Sequence, residues 1–446
     1  MPVPDPSARS VPSAGPLGHP GHPAHSVDRA FFGMERRHPD VRWDAGGVAY
    51  LSGPPPSLAD FRAYVGSRLG RLPLLTSRIE AGSRRRSRWL PDADFTIDRH
   101  VHEVVAEGPT GWDTALRTAL DAPFAPGTYW GIWLVHGHVP DEYAVCYRFH
   151  HACQDGAAAA MTFRTMLGEG EPSARPVPGK GRVTALPRRV GTAVGLATTF
   201  LAGSLVVRGR RPAALPVVPT GERRLWRGRV PADTLRRIAA AHGGSAHDVH
   251  LAALAGALSV WSARSGVPLS RVTALLPIDA RRPDEEQTWG NRCFALPVRL
   301  PVRTDPGRGT GSQDNDSPLR RLEHVMATTR RLRGETWRQA IQDLVQYMPD
   351  RPTAWYLRRM LSPRVTDVMA TSMPVADKGS LGNSQVTGVA LLPLLVPGHL
   401  FGVGLSFFGN WAETSFVADR ALPDGELLPE LWEQAVRELE ETSAPD

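Results

Sequence analysis

The sequence predicts a mixed α/β (α+β) protein of two lobes, and three observations carry that prediction. Strand-like alternation and helix-like apolar spacing occur in both halves of the 446 residues. A proline-rich stretch from Arg211 to Thr220 separates the halves. The length suits two large domains or three smaller ones. At 41% apolar and 22% charged residues, the composition is globular and speaks against wholesale disorder, collagen-like repeats and a multi-span membrane protein. The expected divisions are a disordered tail over 1–25, an N-terminal lobe over 26–185, a linker or crossover segment over 186–222 and a C-terminal lobe over 223–446.

The elements follow in chain order. Seven prolines with scattered glycines and histidines mark the first 25 residues as a tail without an apolar signal core. A short ordered lead-in begins at Ser26, where Val27, Ala30, Phe31, Phe32 and Met34 alternate with charged residues. Ser57 can cap a helix through Asp60, ahead of Leu58, Phe61, Tyr64, Val65, Leu69 and Leu72 at helical spacing. The cluster Arg84, Arg85, Arg86 and Arg88 reads either as a solvated turn or as a phosphate contact. Strands are expected over Trp130 to His136 and Glu142 to His151, the latter alternating Tyr143, Val145, Tyr147 and Phe149 with Ala144, Cys146, Arg148 and His150. A helix opens after Asp155 and runs to Leu167.

The uncharged residues from Val190 to Val207, flanked by arginines, form the nearest approach to a membrane span, but alanine, glycine and threonine dilute them. They read as a buried or linking helix, a membrane-surface segment or a span. In the second half, Ser245 and Asp248 cap a long helix through Trp261. Strands over Val272 to Ile278 and Phe294 to Val302 flank a loop carrying Gly290 and Asn291. Ser317 and Pro318 open a helix to Arg333, and Phe401 to Ala418 reads as a hairpin about Gly409 and Asn410. Leu428, Leu431, Trp432, Ala435, Val436 and Leu439 form a final amphipathic helix.

Charge and cysteine usage narrow the setting. Basic residues number 52 against 45 acidic ones, and Lys180 and Lys378 are the only lysines, so the cationic groups are almost all guanidinium. This balance favours acidic partners without choosing among nucleic acid, anionic membrane and phosphorylated cofactor. Three cysteines, Cys146, Cys153 and Cys293, are too few for a disulfide framework or a four-cysteine zinc site, which fits a reducing cytoplasm.

The chemistry concentrates at His150, His151, Ala152, Cys153, Gln154, Asp155 and Gly156. A histidine at a strand end can take a proton from an attacking hydroxyl, because its ordinary pKa of about 6.5 leaves it mostly neutral at pH 7. Successive strand side chains point to opposite faces, so only one of the two can serve a given cavity, and the other supports. Asp155 can fix the turn through backbone donors or an arginine, and Gly156 permits close approach of a ligand or another chain.

These residues match the HHxxxDG signature of the CoA-dependent acyltransferase and peptide-synthetase condensation superfamily. The surroundings resemble the bacterial wax ester synthase/diacylglycerol acyltransferase family over roughly residues 26–440. Supporting segments include Val27-Asp28-Arg29, Pro54-Pro55-Pro56-Ser57, Leu276-Pro277-Ile278-Asp279-Ala280-Arg281, Gly290-Asn291-Arg292 and Val417-Ala418-Asp419. The resemblance implies two chloramphenicol-acetyltransferase-like lobes sharing a tunnel, with acyl-CoA entering from one side and the acceptor from the other. It makes His151 the general base for direct attack of a hydroxyl on the thioester, with His150 in support. It makes Asp155 a structural partner of Arg281, and it places Gly290 and Asn291 near the substrate channel. The chain departs from family patterns at Tyr129–Trp133, His247–Val249 and Thr371–Ala376, which loosens the acceptor assignment.

The function expected from this resemblance is O-acyl transfer of wax ester or triacylglycerol type, using acyl-CoA as co-substrate and no resident cofactor. The acceptor is a fatty alcohol, a diacylglycerol or a specialised-metabolite hydroxyl. Two alternatives stand beside it: a stand-alone condensation-type enzyme using a carrier-bound or CoA-bound acyl group, and a non-catalytic acyl-chain-binding relative. The expected location is cytoplasmic, with a peripheral membrane or lipid-droplet contact among the partner readings. No metal is expected, because His136 with His138, and His242 with His247 and His250, lack acidic or thiolate companions at familiar spacing. A Gly-x-Ser-x-Gly elbow, a Walker loop, a dinucleotide fingerprint and a nucleic-acid-binding signature are likewise missing.

Overall fold

The computed structural model describes residues 22–80, 87–168, 220–269, 272–282, 290–302, 317–332, 334–396 and 398–443. The first elements are β1 (His22–Pro23), α1 (Ser26–Glu35), β2 (Asp44–Ser52), α2 (Leu58–Gly66), β3 (Ser77–Glu80) and β4 (Arg88–Pro91). Then come β5 (Val101–Val105), α3 (Trp112–Asp121), β6 (Trp130–Val139), β7 (Glu142–His150) and α4 (Gly156–Leu167). The later part supplies β8 (Arg223–Pro231), α5 (Ala232–His242), α6 (Ala246–Ser265), β9 (Val272–Asp279), β10 (Cys293–Leu300), α7 (Pro318–Leu332), α8 (Glu335–Tyr347) and α9 (Asp350–Met360). It ends with β11 (Val368–Ala376), β12 (Ser380–Leu381), β13 (Ser384–Leu392), β14 (Phe401–Phe408), β15 (Trp411–Asp419) and α10 (Leu428–Ser443).

The strands form two six-stranded sheets, ordered β12-β13-β2-β7-β6-β5 and β10-β9-β11-β14-β15-β8, and a small sheet β1-β4-β3. Strand β7 is central to the first because both its faces are apolar. Tyr143, Val145, Tyr147 and Phe149 pack with α2 and α4 residues, while Ala144 and Cys146 pack under α3. A separate core fills the second lobe around α6, which is buried almost all round, and α10. Another apolar cluster joins the halves: Phe31, Phe32 and Met34 of α1 meet Leu275, Phe294, Tyr356 and Met360.

Local signals set several boundaries. The Asp60 amide donates to the Ser57 hydroxyl at the start of α2, and Ser245 with Asp248 makes the capping box of α6. Gly409, at φ 55, turns β14 into β15.

Four expectations need correction. Residues 22 and 23 are not tail but pair with β4 through Trp89 and Arg88; residues 1–21 lie outside the described residues. The lead-in at Ser26 is a full helix, whose Asp28 carboxylate accepts the His25 amide at 2.8 Å. The helix begun at Leu58 ends at Gly66, Leu69 opens a separate short turn, and Leu72 joins that turn to another that opens at Pro73.

The fourth correction concerns the 223–446 lobe. Strand β13 leaves it and pairs antiparallel with β2, placing Val389 opposite Ala49. This crossover is stitched to the second sheet by the Ser406 and Ser415 hydroxyls, which donate to the Val389 and Leu391 carbonyls. The 186–219 part of the linker, including 190–207, and Arg84–Arg86 lie outside the described residues. Among the described residues no helix is long and apolar enough to cross a membrane.

Candidate active site

The site lies where β7 ends against β2. His150 closes the strand opposite Asp44, its amide donating to the Tyr129 carbonyl at 2.7 Å, and the His151 amide donates to the Trp43 carbonyl at 2.7 Å. The alternation predicted for the two histidines is expressed through neighbouring residues of α1. The Phe32 ring stacks on His150 with centroids 5.2 Å apart, and Phe31 stacks on His151 at 4.4 Å. One helix therefore holds both imidazoles on separate sides.

His150 is a framework residue by its contacts. Its Nδ1 accepts the Ala152 amide at 3.1 Å, which leaves the proton on Nε2, 3.6 Å from a Glu35 carboxylate oxygen. Burial pushes its pKa down to about 4, with the neighbouring His151 acting in the same direction.

His151 instead borders an apolar cavity between the lobes. Phe31, Phe149, Gly156, Ala160, Met373 and Leu394 are among its walls, and among the described residues its polar side chains are those of His151, Cys293 and Thr371. His151 Nδ1 is buried. Burial holds the imidazole below its ordinary value, opposed by a hydrogen bond to its own backbone, the charge of Asp155 and the Asn291 side chain. The ring is therefore neutral near pH 7 and free to accept a proton.

Two clamps from the second lobe fix the turn that carries it. Asp155 caps α4 by accepting the Ala158 amide at 2.9 Å. The same carboxylate takes both Arg281 guanidinium nitrogens at 2.9 Å and the Arg292 amide at 2.7 Å. Burial alone would raise the Asp155 pKa, but the Arg281 charge and these donors hold it below the usual value. Arg281 is further tied to the Gly290 carbonyl at 2.9 Å and to Asp279 at 3.0 Å.

The second clamp is Asn291, whose amide nitrogen donates to the His151 carbonyl at 2.8 Å and to Asp28 Oδ1 at 2.9 Å. Sequence reasoning missed Asp28 as a site residue. Burial pushes its carboxyl up to about 6, against the Asn291, His25 and Trp89 donors.

The structure thus brings together His150, His151, Asp155, Gly156, Arg281, Gly290 and Asn291. Gly290 and Asn291 make framework contacts, holding Arg281 and the His151 backbone. Gly156 lines the cavity, where a Cβ would lie 2.5 Å from Met373 Cε. Asp28, Phe31 and Arg292 were visible only as parts of short motifs.

Among the described residues no group of three His, Cys, Asp or Glu is placed to hold a metal ion. The arrangement places one imidazole at the wall of an apolar cavity, with its backbone held by both lobes.

The chain is similar to known proteins in sequence and in fold. A family model described as the wax ester synthase/diacylglycerol acyltransferase catalytic domain matches residues 25–209. A putative diacylglycerol O-acyltransferase of Mycobacterium tuberculosis is 26% identical over 382 residues, covering 75% of this chain and 74% of its own length. The structure of a wax ester synthase/diacylglycerol acyltransferase from Marinobacter aquaeolei VT8 superposes with a TM-score of 0.65 at 18% identity, covering 95% of this chain and 99% of that one. The starter condensation domain of rhizomide synthetase, solved in complex with C8-CoA, superposes with a TM-score of 0.60 at 15% identity, covering 95% of each chain. The two-lobed mixed α/β fold is shared with both structures.

Proposed function

We propose that this chain, an O-acyltransferase of the wax ester synthase/diacylglycerol acyltransferase family by its residues 25–209, esterifies a hydroxyl acceptor from acyl-CoA with His151 as general base. The observation that carries this reading is the placement of the His151 ring at the wall of the apolar interlobe cavity on a doubly anchored backbone.

An acyl chain in that cavity gains by burial about 0.8 kcal/mol per methylene. His151 takes the proton of the acceptor hydroxyl as its oxygen attacks the thioester carbonyl. The new C–O bond forms, the C–S bond breaks, and the imidazolium returns its proton to the departing CoA thiolate. A base of this kind contributes about a hundred- to ten-thousand-fold in rate. No covalent acyl-enzyme is required. His150 keeps the turn in shape, and Asp155 with Arg281 locks one lobe to the other.

The acceptors this reading covers are fatty alcohols, diacylglycerols and specialised-metabolite hydroxyls. Incubating the purified chain with mixed acyl-CoAs and an alcohol panel, read by mass spectrometry, tests it. The expected products are esters in wild type that fall with His151→Ala. Absence of any hydroxyl-dependent CoA release would instead favour a non-catalytic acyl-chain binder, and turnover of carrier-bound thioesters alone a condensation-type enzyme.

A further inference from the structure

On the far side of α1 from the apolar cavity lies a second opening of opposite character, a cleft of about 770 Å³ between α1 and α9. That volume lies within the range of ligand pockets, roughly 300–1,000 Å³. Among the described residues its walls carry five arginines, Arg29, Arg36, Arg37, Arg351 and Arg358, against a single acid, Asp350. That acid is already engaged by Arg29, through Nε at 2.9 Å and Nη2 at 2.5 Å. No ion pair to Arg36, Arg37, Arg351 or Arg358 is present among the described residues. All four are exposed. Like charges gathered around one concavity repel one another and are offset only by an anion, which guanidinium groups hold in forked geometry.

The position of the cleft selects among anions. Its floor includes Phe32 and Tyr129, the aromatic rings packed on His150, so it ends beside the histidine pair whose other member borders the apolar cavity. The geometry points to this cleft as the binding site for the phosphate groups of the CoA thioester donor, with Arg36 and Arg37 from one lobe and Arg351 and Arg358 from the other. The assignment rests on the acyl-CoA reading above. It adds that donor recognition is electrostatic and is completed only when the two lobes are together.

The test compares three donors with the same acyl group: acyl-CoA, acyl-4′-phosphopantetheine and acyl-N-acetylcysteamine, which carry successively fewer phosphates down to none. Wild type should prefer them in that order. In Arg36→Ala/Arg351→Ala the preference for CoA over N-acetylcysteamine, as a ratio of kcat/KM, should fall about tenfold or more, mainly through KM. Calorimetric titration with free CoA should show a similar loss of affinity, and wild-type affinity should weaken as salt is raised. Arg358→Ala provides a second, independent reading.

An unchanged donor ratio together with unchanged CoA affinity overturns the assignment. Equal preference for phosphopantetheine and CoA also overturns it, in favour of a carrier-borne single phosphate. CoA binding that depends on these arginines without turnover of any thioester would sustain the cleft while removing the acyl-transfer reading.

Discussion

Asp155→Ala tests the interlobe lock most directly. The Asp155 and Arg281 side chains are 1% and 2% exposed, and the carboxylate accepts four hydrogen bonds, two from Arg281 and one each from the Ala158 and Arg292 amides. Removing one partner of a buried ion pair costs about 3–5 kcal/mol, because the other charge remains desolvated. Arg281 keeps the Gly290 carbonyl and the half-exposed Asp279, which places the cost near the lower end of that range. Loss of the helix cap adds about 1 kcal/mol. The expected destabilisation is about 4 kcal/mol by urea unfolding, against a total stability of roughly 5–15 kcal/mol, with lower soluble yield.

The double variant Asp155→Leu/Arg281→Leu should recover part of the loss, since it leaves no buried charge. The sign with pH follows from a folded pKa below the unfolded one. The contribution is complete above the unfolded value of about 3.9 and fades as pH falls through the folded value. The gap between wild type and Asp155→Ala should therefore stay constant from neutral pH down to about 4 and narrow below it. A single variant within about 1 kcal/mol of wild type would refute the reasoning.

Other outcomes follow from the same geometry. His151→Ala should lower acyl transfer at least about a hundred-fold with unchanged circular dichroism; full activity would remove the base. Because burial holds the His151 pKa below the usual 6.5, the kcat/KM profile should keep its plateau through pH 6.5 and fall only at lower pH, and an acid limb above 6.5 would contradict this. Asn291→Ala takes a donor from buried Asp28 and frees the His151 carbonyl. It should cost about 1–3 kcal/mol in stability and lower kcat more than it raises KM. Gly156→Ala pushes the end of Met373 into the cavity. Competition between acyl chain lengths should then shift toward shorter chains, by about fourfold in kcat/KM for each methylene excluded.

Local chemistry made much of this legible from the sequence, and long-range partnership accounts for what was not. The two-faced pattern of β7, the caps at Ser57 and Ser245 and the turn at Gly409 are decided by residues a few positions apart, and each appears where expected. Strand β13 alternates less clearly, and its partner β2 lies more than 300 residues away, so nothing in residues 384–392 announces which lobe receives it. Asp28 and Asn291 meet across 263 positions. Neither is unusual in its own neighbourhood, and only the fold gives them the His151 backbone in common. The basic excess was visible as seven charges. Its concentration in one cleft depends on α1 and α9, which belong to opposite ends of the chain.

The division of labour between the two histidines follows from packing rather than from their identity. His150 spends its Nδ1 lone pair on the Ala152 amide, and with a pKa near 4 it stays neutral through the physiological range. It is buried under Phe32 on the cleft side of α1, where burial disfavours the imidazolium more than the charge of Asp44 favours it. His151, one residue on, falls past the end of the strand, where the chain turns toward α4. A hydrogen bond within its own residue, the charge of Asp155 and the Asn291 side chain oppose the effect of burial there, and would favour an imidazolium if the ring takes a proton. The Arg29–Asp350 pair and the Asp28–Asn291 hydrogen bond tie α1 to the second lobe. The helix that separates the arginine cleft from the apolar cavity thus also stacks one aromatic ring on each imidazole.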